Sequence, residues 1–146
     1  MLRIDPAAYA ELRRHGEEAY PNESCGVLLG RVEDGEARLA AALVRCPNAR
    51  TDSPQNRYHI DPRDLLRIQR QGRERGQDIV GFYHSHPDHP ASPSGTDLAE
   101  AHWLGCSYVI TSVARGKAEA TASFLLAGGA EQEKRFLAEE IQVVTP

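Results

Sequence analysis

The stretch from His84 to Asp97, HSHPDHPASPSGTD, constrains this chain more than any other. It follows Ile79-Val80-Gly81-Phe82-Tyr83, a run of strand-forming residues. Side chains alternate faces along a strand, so His84 and His86, at i and i+2, point the same way. Pro87, Pro90 and Pro93 exclude regular helix and sheet from the turn that follows. Ser94-Gly95-Thr96-Asp97 then reads as a helix start, with Ser94 as N-cap and Asp97 three residues on. A strand end and a helix start would thus bring two imidazoles and one carboxylate together. With a position left for water, that set matches the ligand types of a catalytic zinc site. It equally describes the facial triad of non-haem iron oxygenases, and spacing alone does not separate the two.

The same residues resemble the JAMM motif of the MPN+ metallopeptidases, H-[ST]-H-P-x6-S-x2-D, filled here by His84, Ser85, His86, Pro87, Ser94 and Asp97. Upstream, Asn22-Glu23-Ser24-Cys25-Gly26-Val27-Leu28-Leu29-Gly30 is similar to the family's E-x-C-G-x-L-x-G segment. With Gly81-Phe82-Tyr83 and Ser107-Tyr108-Val109-Ile110, the resemblance runs from Glu23 to Phe124. It implies one zinc ion per chain on His84, His86 and Asp97, with Glu23 as the general base and acid that carries a proton from water to the leaving amine. Ser94, besides capping, is a candidate donor to the oxyanion of the tetrahedral intermediate. Glu23 and Ser94 have hydrolytic uses and none in oxygen activation, which favours the peptidase over the oxygenase. A non-catalytic MPN scaffold is disfavoured because such members lose ligands and this chain keeps them all.

The implied fold class is α/β (α+β): an MPN-type curved mixed sheet flanked by helices, in a cytidine-deaminase-like arrangement. The H-x-E and P-C-x-x-C signatures of the zinc deaminases are absent. The implied substrate is a peptide or isopeptide bond at the C-terminus of a ubiquitin-like protein. The chain resembles the short, stand-alone prokaryotic type and lacks the long insertions of eukaryotic deubiquitinases, which points to a small sulfur-carrier protein. A Gly-Gly-ended tail would add as a strand between the loop Pro47–Arg57 with Tyr58-His59-Ile60 and the turn Pro87–Pro93, making Arg57 and Tyr58 candidate substrate contacts.

A length of 146 residues fits one domain, residues 1–146. A net charge of −4 gives no electrostatic case for nucleic acid or an anionic membrane. Arg63, Arg67, Arg70, Arg73 and Arg75 make one helix basic, but acidic neighbours and the lack of interleaved aromatics mark a solvated face. There is no apolar run of spanning length and no signal-like N-terminus, so the expected location is the cytoplasm. Cys25, Cys46 and Cys106 form no C-x-x-C pair and read as small buried hydrophobes, with Cys25 as a weaker candidate nucleophile.

Asp5-Pro6 and Asp61-Pro62 each launch a helix. The first is expected to end between Gly16 and Pro21, the second at Gly76. Cys25–Val32 and Glu36–Cys46 read as a hairpin turning at Asp34-Gly35, and Tyr58-His59-Ile60 as a short strand. The helix begun by Ser94 is expected to continue to Leu104. Cys106–Val113 and Glu119–Leu126 read as neighbouring strands, 131–140 as a polar helix, and Ile141–Val144 as a terminal strand. His15 has no partner that the sequence identifies, and Ser85 and His89 have weaker claims as a supporting hydroxyl and an exposed loop imidazole.

Overall fold

A computed structural model describes residues 1–33 and 37–145; the expected Asp34-Gly35 turn lies outside them. The elements are β1 (Leu2–Ile4), α1 (Pro6–Ala19), β2 (Cys25–Glu33), β3 (Ala37–Cys46), α2 (Pro62–Glu74), β4 (Asp78–Pro87), α3 (Gly95–Glu100), β5 (Ser107–Ala114), β6 (Lys117–Ala127), a 3-10 turn (Glu131–Glu133), β7 (Arg135–Glu139) and β8 (Ile141–Val143).

Both aspartate-proline pairs start helices as expected. The Asp5 carboxylate accepts from the amides of Ala7 and Ala8, and that of Asp61 from Arg63, satisfying amides that have no partner within the helix. α2 stops before Gly76, whose φ of 73° is left-handed and suits glycine. Gly16 does not end α1. It lies buried inside the helix, where a Cβ would meet Val113 at 3.0 Å, so its missing side chain lets α1 pack close to β5.

The strands form one mixed sheet in the order β7-β6-β5-β4-β2-β3-β1-β8. Its two outermost strands, β7 and β8, are consecutive in the chain with only Glu140 between them. The sheet must therefore curl until its edges meet. Across the closure, Arg38 on β3 pairs with Glu139 on β7, which also accepts from the Ser123 hydroxyl. Leu2, Ile4, Leu12, Leu28, Val80, Tyr83 and Val109 form one core cluster on the α1 side. Cys25, Val27, Leu29, Ile68, Phe82 and Tyr108 form the other, on the α2 side. The curved mixed sheet flanked by helices is the expected fold class.

One irregularity sets the phase of β4. Leu28 on β2 pairs with Gly81 and Leu29 with Ile79, so Val80 is an extra residue. Such a bulge flips the alternation beyond it. Past it, Phe82 packs in the α2-side cluster and Tyr83 in the α1-side one, and His84 and His86 follow Phe82 on its face.

Four expectations are corrected. Tyr58-His59-Ile60 is not a strand: the segment is irregular and tied to the preceding loop through Ala49 N to His59 O at 2.8 Å. α3 ends at Glu100, where Ala101 turns extended (φ −85°, ψ 123°) and buries its methyl. Residues 131–140 hold a 3-10 turn and β7 in place of a helix. Lys134 to Glu140 are good helix formers, but the free edge of β6 offers ladder hydrogen bonds and Phe136 packs on Tyr108 at 5.3 Å. His15 has a partner: its Nδ1 lies 2.7 Å from the Tyr83 hydroxyl.

Candidate active site

His84 and His86 sit near the end of β4 with their Nε2 atoms 3.2 Å apart. Asp97, on the first turn of α3, faces both: Oδ1 is 3.3 Å from His84 Nε2 and Oδ2 is 3.0 Å from His86 Nε2. One ligand atom from each residue lies within 4.8 Å of the others, a group that could hold a metal ion.

The local sequence explains why these atoms converge. Ser94 Oγ accepts from the Asp97 amide at 3.0 Å and Asp97 Oδ2 accepts from the Ser94 amide at 2.8 Å, a complete capping box. The box that starts α3 therefore also aims the carboxylate. In the proline turn, His86 Nδ1 lies 2.8 Å from the Pro90 carbonyl, which can only accept. The ring proton is thereby assigned to Nδ1 and the Nε2 lone pair is left for a cation. The turn itself is pinned through Asp88, whose carboxylate accepts from the Tyr20 hydroxyl and the Arg115 amide. The Tyr58 ring stacks on His84 at 4.4 Å.

Burial opposes charge on all three residues, and the outcomes differ. It pushes the His84 pKa down. At His86 burial is the largest single influence, but the hydrogen bonds to the Asp97 carboxylate and the Pro90 carbonyl, with the charges of Asp97 and Glu23, together outweigh it and the pKa rises. At Asp97 the histidine hydrogen bonds outweigh burial and hold the carboxyl well below the usual range. The ionised Asp97 carboxylate and the His84 imidazole kept neutral by burial are already in forms that ligate metal, and a cation would take the place of the proton that His86 shares with Asp97, so the donor set fits a divalent cation.

Glu23, just ahead of β2, is 4% exposed. Its amide donates to Pro54 O at 2.8 Å and its carbonyl accepts from the Asn48 side chain at 3.4 Å, which ties it to the 47–57 loop. Ser85, on the opposite face of β4 from the histidines, accepts from the Ser24 amide at 2.8 Å and so fixes the Glu23 segment against β4. The Glu23 carboxylate has a buried oxygen, Oε1, with no hydrogen-bond partner among the described residues. Burial first, then repulsion from Asp97 and Glu100, raises its pKa to about 8 against the attraction of His86. Glu23, Asn56, His86, His89, Pro90, Ser92 and Ser94 line one cavity of about 300 Å³.

Glu23, Ser94, His84, His86 and Asp97 are thus brought together. Tyr58 joins them by its stack on His84, but Arg57 is exposed and lines neither this cavity nor the neighbouring cleft. Asn48 was missed by sequence reasoning: its side chain bonds the carbonyls of Glu23 and Arg57 and the amides of Arg50 and His59. Its only signal was an asparagine after proline in a polar loop. Cys25 is buried, and burial raises its thiol pKa far above the ordinary value, which speaks against a nucleophile.

A curled mixed sheet with a His-x-His pair on a central strand and a carboxylate on the next helix defines a JAB/MPN-type domain. The chain belongs to the prokaryotic homologs of the JAB domain, the family matched over residues 5–127. It is 40% identical over 92 residues to a desampylase of Haloferax volcanii, a match spanning 63% of this chain and 63% of that protein. It is 33% identical over 131 residues to a probable TtuB-protein conjugate cleaving protease of Thermus thermophilus, covering 90% of this chain and 80% of that one. A solution structure of a Desulfitobacterium hafniense protein superposes with a TM-score of 0.82 at 29% identity, covering 100% of this chain and 94% of that one. Among the described residues no helix is long and apolar enough to cross a membrane.

Proposed function

We propose that this protein is a zinc-dependent metallopeptidase that hydrolyses a peptide or isopeptide bond at the C-terminus of a ubiquitin-like or sulfur-carrier protein. The observation that carries the reading is the buried Glu23 carboxylate, with one oxygen unpartnered among the described residues, in the same cavity as His86 and Ser94. The names of the two relatives, desampylase and conjugate cleaving protease, support the substrate class.

His84, His86 and Asp97 would hold the ion. When bound, zinc supplies Lewis acidity that brings the ionisation of water to near neutral pH. Glu23 accepts the proton as water adds to the substrate carbonyl and returns it to the nitrogen as the C–N bond breaks. The products are a carboxylic acid and an amine. A raised pKa suits a group that must both take and release a proton near neutrality. Ser94 Oγ accepts from the Asp97 amide, which uses a lone pair, so its hydroxyl proton remains available for the developing oxyanion.

The test is metal analysis of the native protein, followed by incubation with Gly-Gly-linked carrier conjugates read by intact mass. One zinc per chain and release of the free carrier are expected. Glu23→Gln should retain zinc and lose about 10²- to 10⁴-fold in turnover. Stoichiometric iron without zinc, or wild-type turnover in Glu23→Gln, would overturn the assignment.

A further inference from the structure

A second cleft, of about 220 Å³, lies beside the candidate active site. Its walls include Tyr58, Ile60, Leu65, Phe82, Trp103 and Tyr108. Its shape follows from two features absent from the sequence reading. α3 stops at Glu100, so the chain runs extended and lays Trp103 edge-on against Phe82 at 5.3 Å, with the Trp103 amide donating to the Tyr108 hydroxyl. The segment at Tyr58 is irregular, and its ring forms a shared partition: it stacks on His84 and also lines the cleft.

We propose that this cleft is a specificity subsite for one large apolar side chain of the substrate tail, that of the third residue back from the scissile carbonyl. The inference rests on the peptidase reading above. Glu23, which must hand the proton to the amine, lines the other cavity, so the amine leaves on that side and the acyl chain extends over Tyr58 toward the cleft. Phe82 precedes His84 by two strand positions, about 7 Å, the reach of roughly two extended residues. The two residues that cross Tyr58 must be small, and the first large side chain falls over Phe82. A cavity of about 150 Å³ accommodates a benzene ring, so this one fits a single leucine or phenylalanine side chain and no larger element. A lysine or arginine fits poorly, because the carboxylate at the rim, Glu100, already pairs with Arg50 at 3.1 Å.

Trp103 is the single tryptophan of the chain, so its fluorescence reads the cleft directly. The probes are acetyl-Ala-Ala-X-Gly-Gly peptides joined through an isopeptide bond to the ε-amine of a lysine peptide, with X as Leu, Phe, Ala or Lys. With zinc-loaded Glu23→Gln, the Leu and Phe probes should shift Trp103 emission and bind about tenfold or more tighter than Ala or Lys, and wild-type kcat/KM should follow the same order. In Leu65→Glu the preference for Leu and Phe over Ala should collapse, with zinc content and the far-UV circular dichroism spectrum as the report on folding. Cleavage of all four probes with equal kcat/KM and no Trp103 response would overturn the subsite and leave the peptidase reading standing. Failure to cleave any probe or protein conjugate would instead overturn the peptidase reading, and the order of Trp103 binding would still decide the subsite.

Discussion

The Tyr58 ring covers the His84 imidazole with centroids 4.4 Å apart and planes inclined by 23°. Burial raises the phenol pKa well above its ordinary value, so Tyr58 acts as a neutral aromatic plate. Tyr58→Phe should keep both metal content and KM near wild type. Tyr58→Ala removes the partition and the support of a ligand ring, and should raise KM about tenfold and lower metal affinity together. Arg57 separates steering from contact. Arg57→Glu should alter KM for an acidic protein conjugate in a salt-dependent way and leave KM for a short peptide unchanged.

Ser94 combines a cap with a donor, and two measurements separate them. Ser94→Ala should cost about 1 kcal/mol in urea unfolding, the usual value of an N-cap. It should also lower kcat by on the order of 10²-fold, far more than lost folded population can explain. A fall in stability with unchanged kcat would leave the hydroxyl a capping role alone.

The convergence of His84, His86 and Asp97 was legible because each step is local: strand alternation, a proline turn and a capping box. Even so, β4 carries a slip that the sequence conceals. Gly81 marks it, but only pairing with β2 reveals Val80 as the extra residue. The missed features are those decided by distant partners. β7 exists because β6 offers an edge, and His15 meets a tyrosine 68 residues away. β1 is three residues long and pairs with β3 and β8, so no periodicity betrays it. Helix α3 stops early because Trp103 is claimed by Phe82, which local propensity cannot register.

The three cysteines are all free and buried, and burial raises the pKa of Cys46 and of Cys106 to about 11. Few thiolates exist at neutral pH in the folded protein. Iodoacetamide should therefore leave activity intact over a period in which a chelator abolishes it. Inactivation by the alkylator at a rate matching Cys25 modification would restore the thiol as a candidate.

The fold buries the Glu23 carboxylate, and that burial links its proton to stability. In the metal-free protein the Glu23 pKa is raised from 4.5 to about 8, chiefly by burial. Below pH 4.5 the group is protonated whether the chain is folded or unfolded, and it adds no pH dependence. Between 4.5 and 8 the unfolded chain releases the proton while the folded one retains it, so stability falls as pH rises through this window. At about 1.4 kcal/mol per pH unit, the loss across the window is on the order of a few kcal/mol. Glu23→Gln has no proton to release. Titrating groups that do not feel Glu23 cancel in the difference between the two proteins, so with chelator present the variant should match wild type near pH 4.5 and exceed it by a few kcal/mol near pH 8. Urea unfolding at a series of pH values measures the difference. A constant offset between the two would mean that Glu23 ionises as freely in the folded chain as in the unfolded one, and its assignment as a proton carrier tuned by burial would fail.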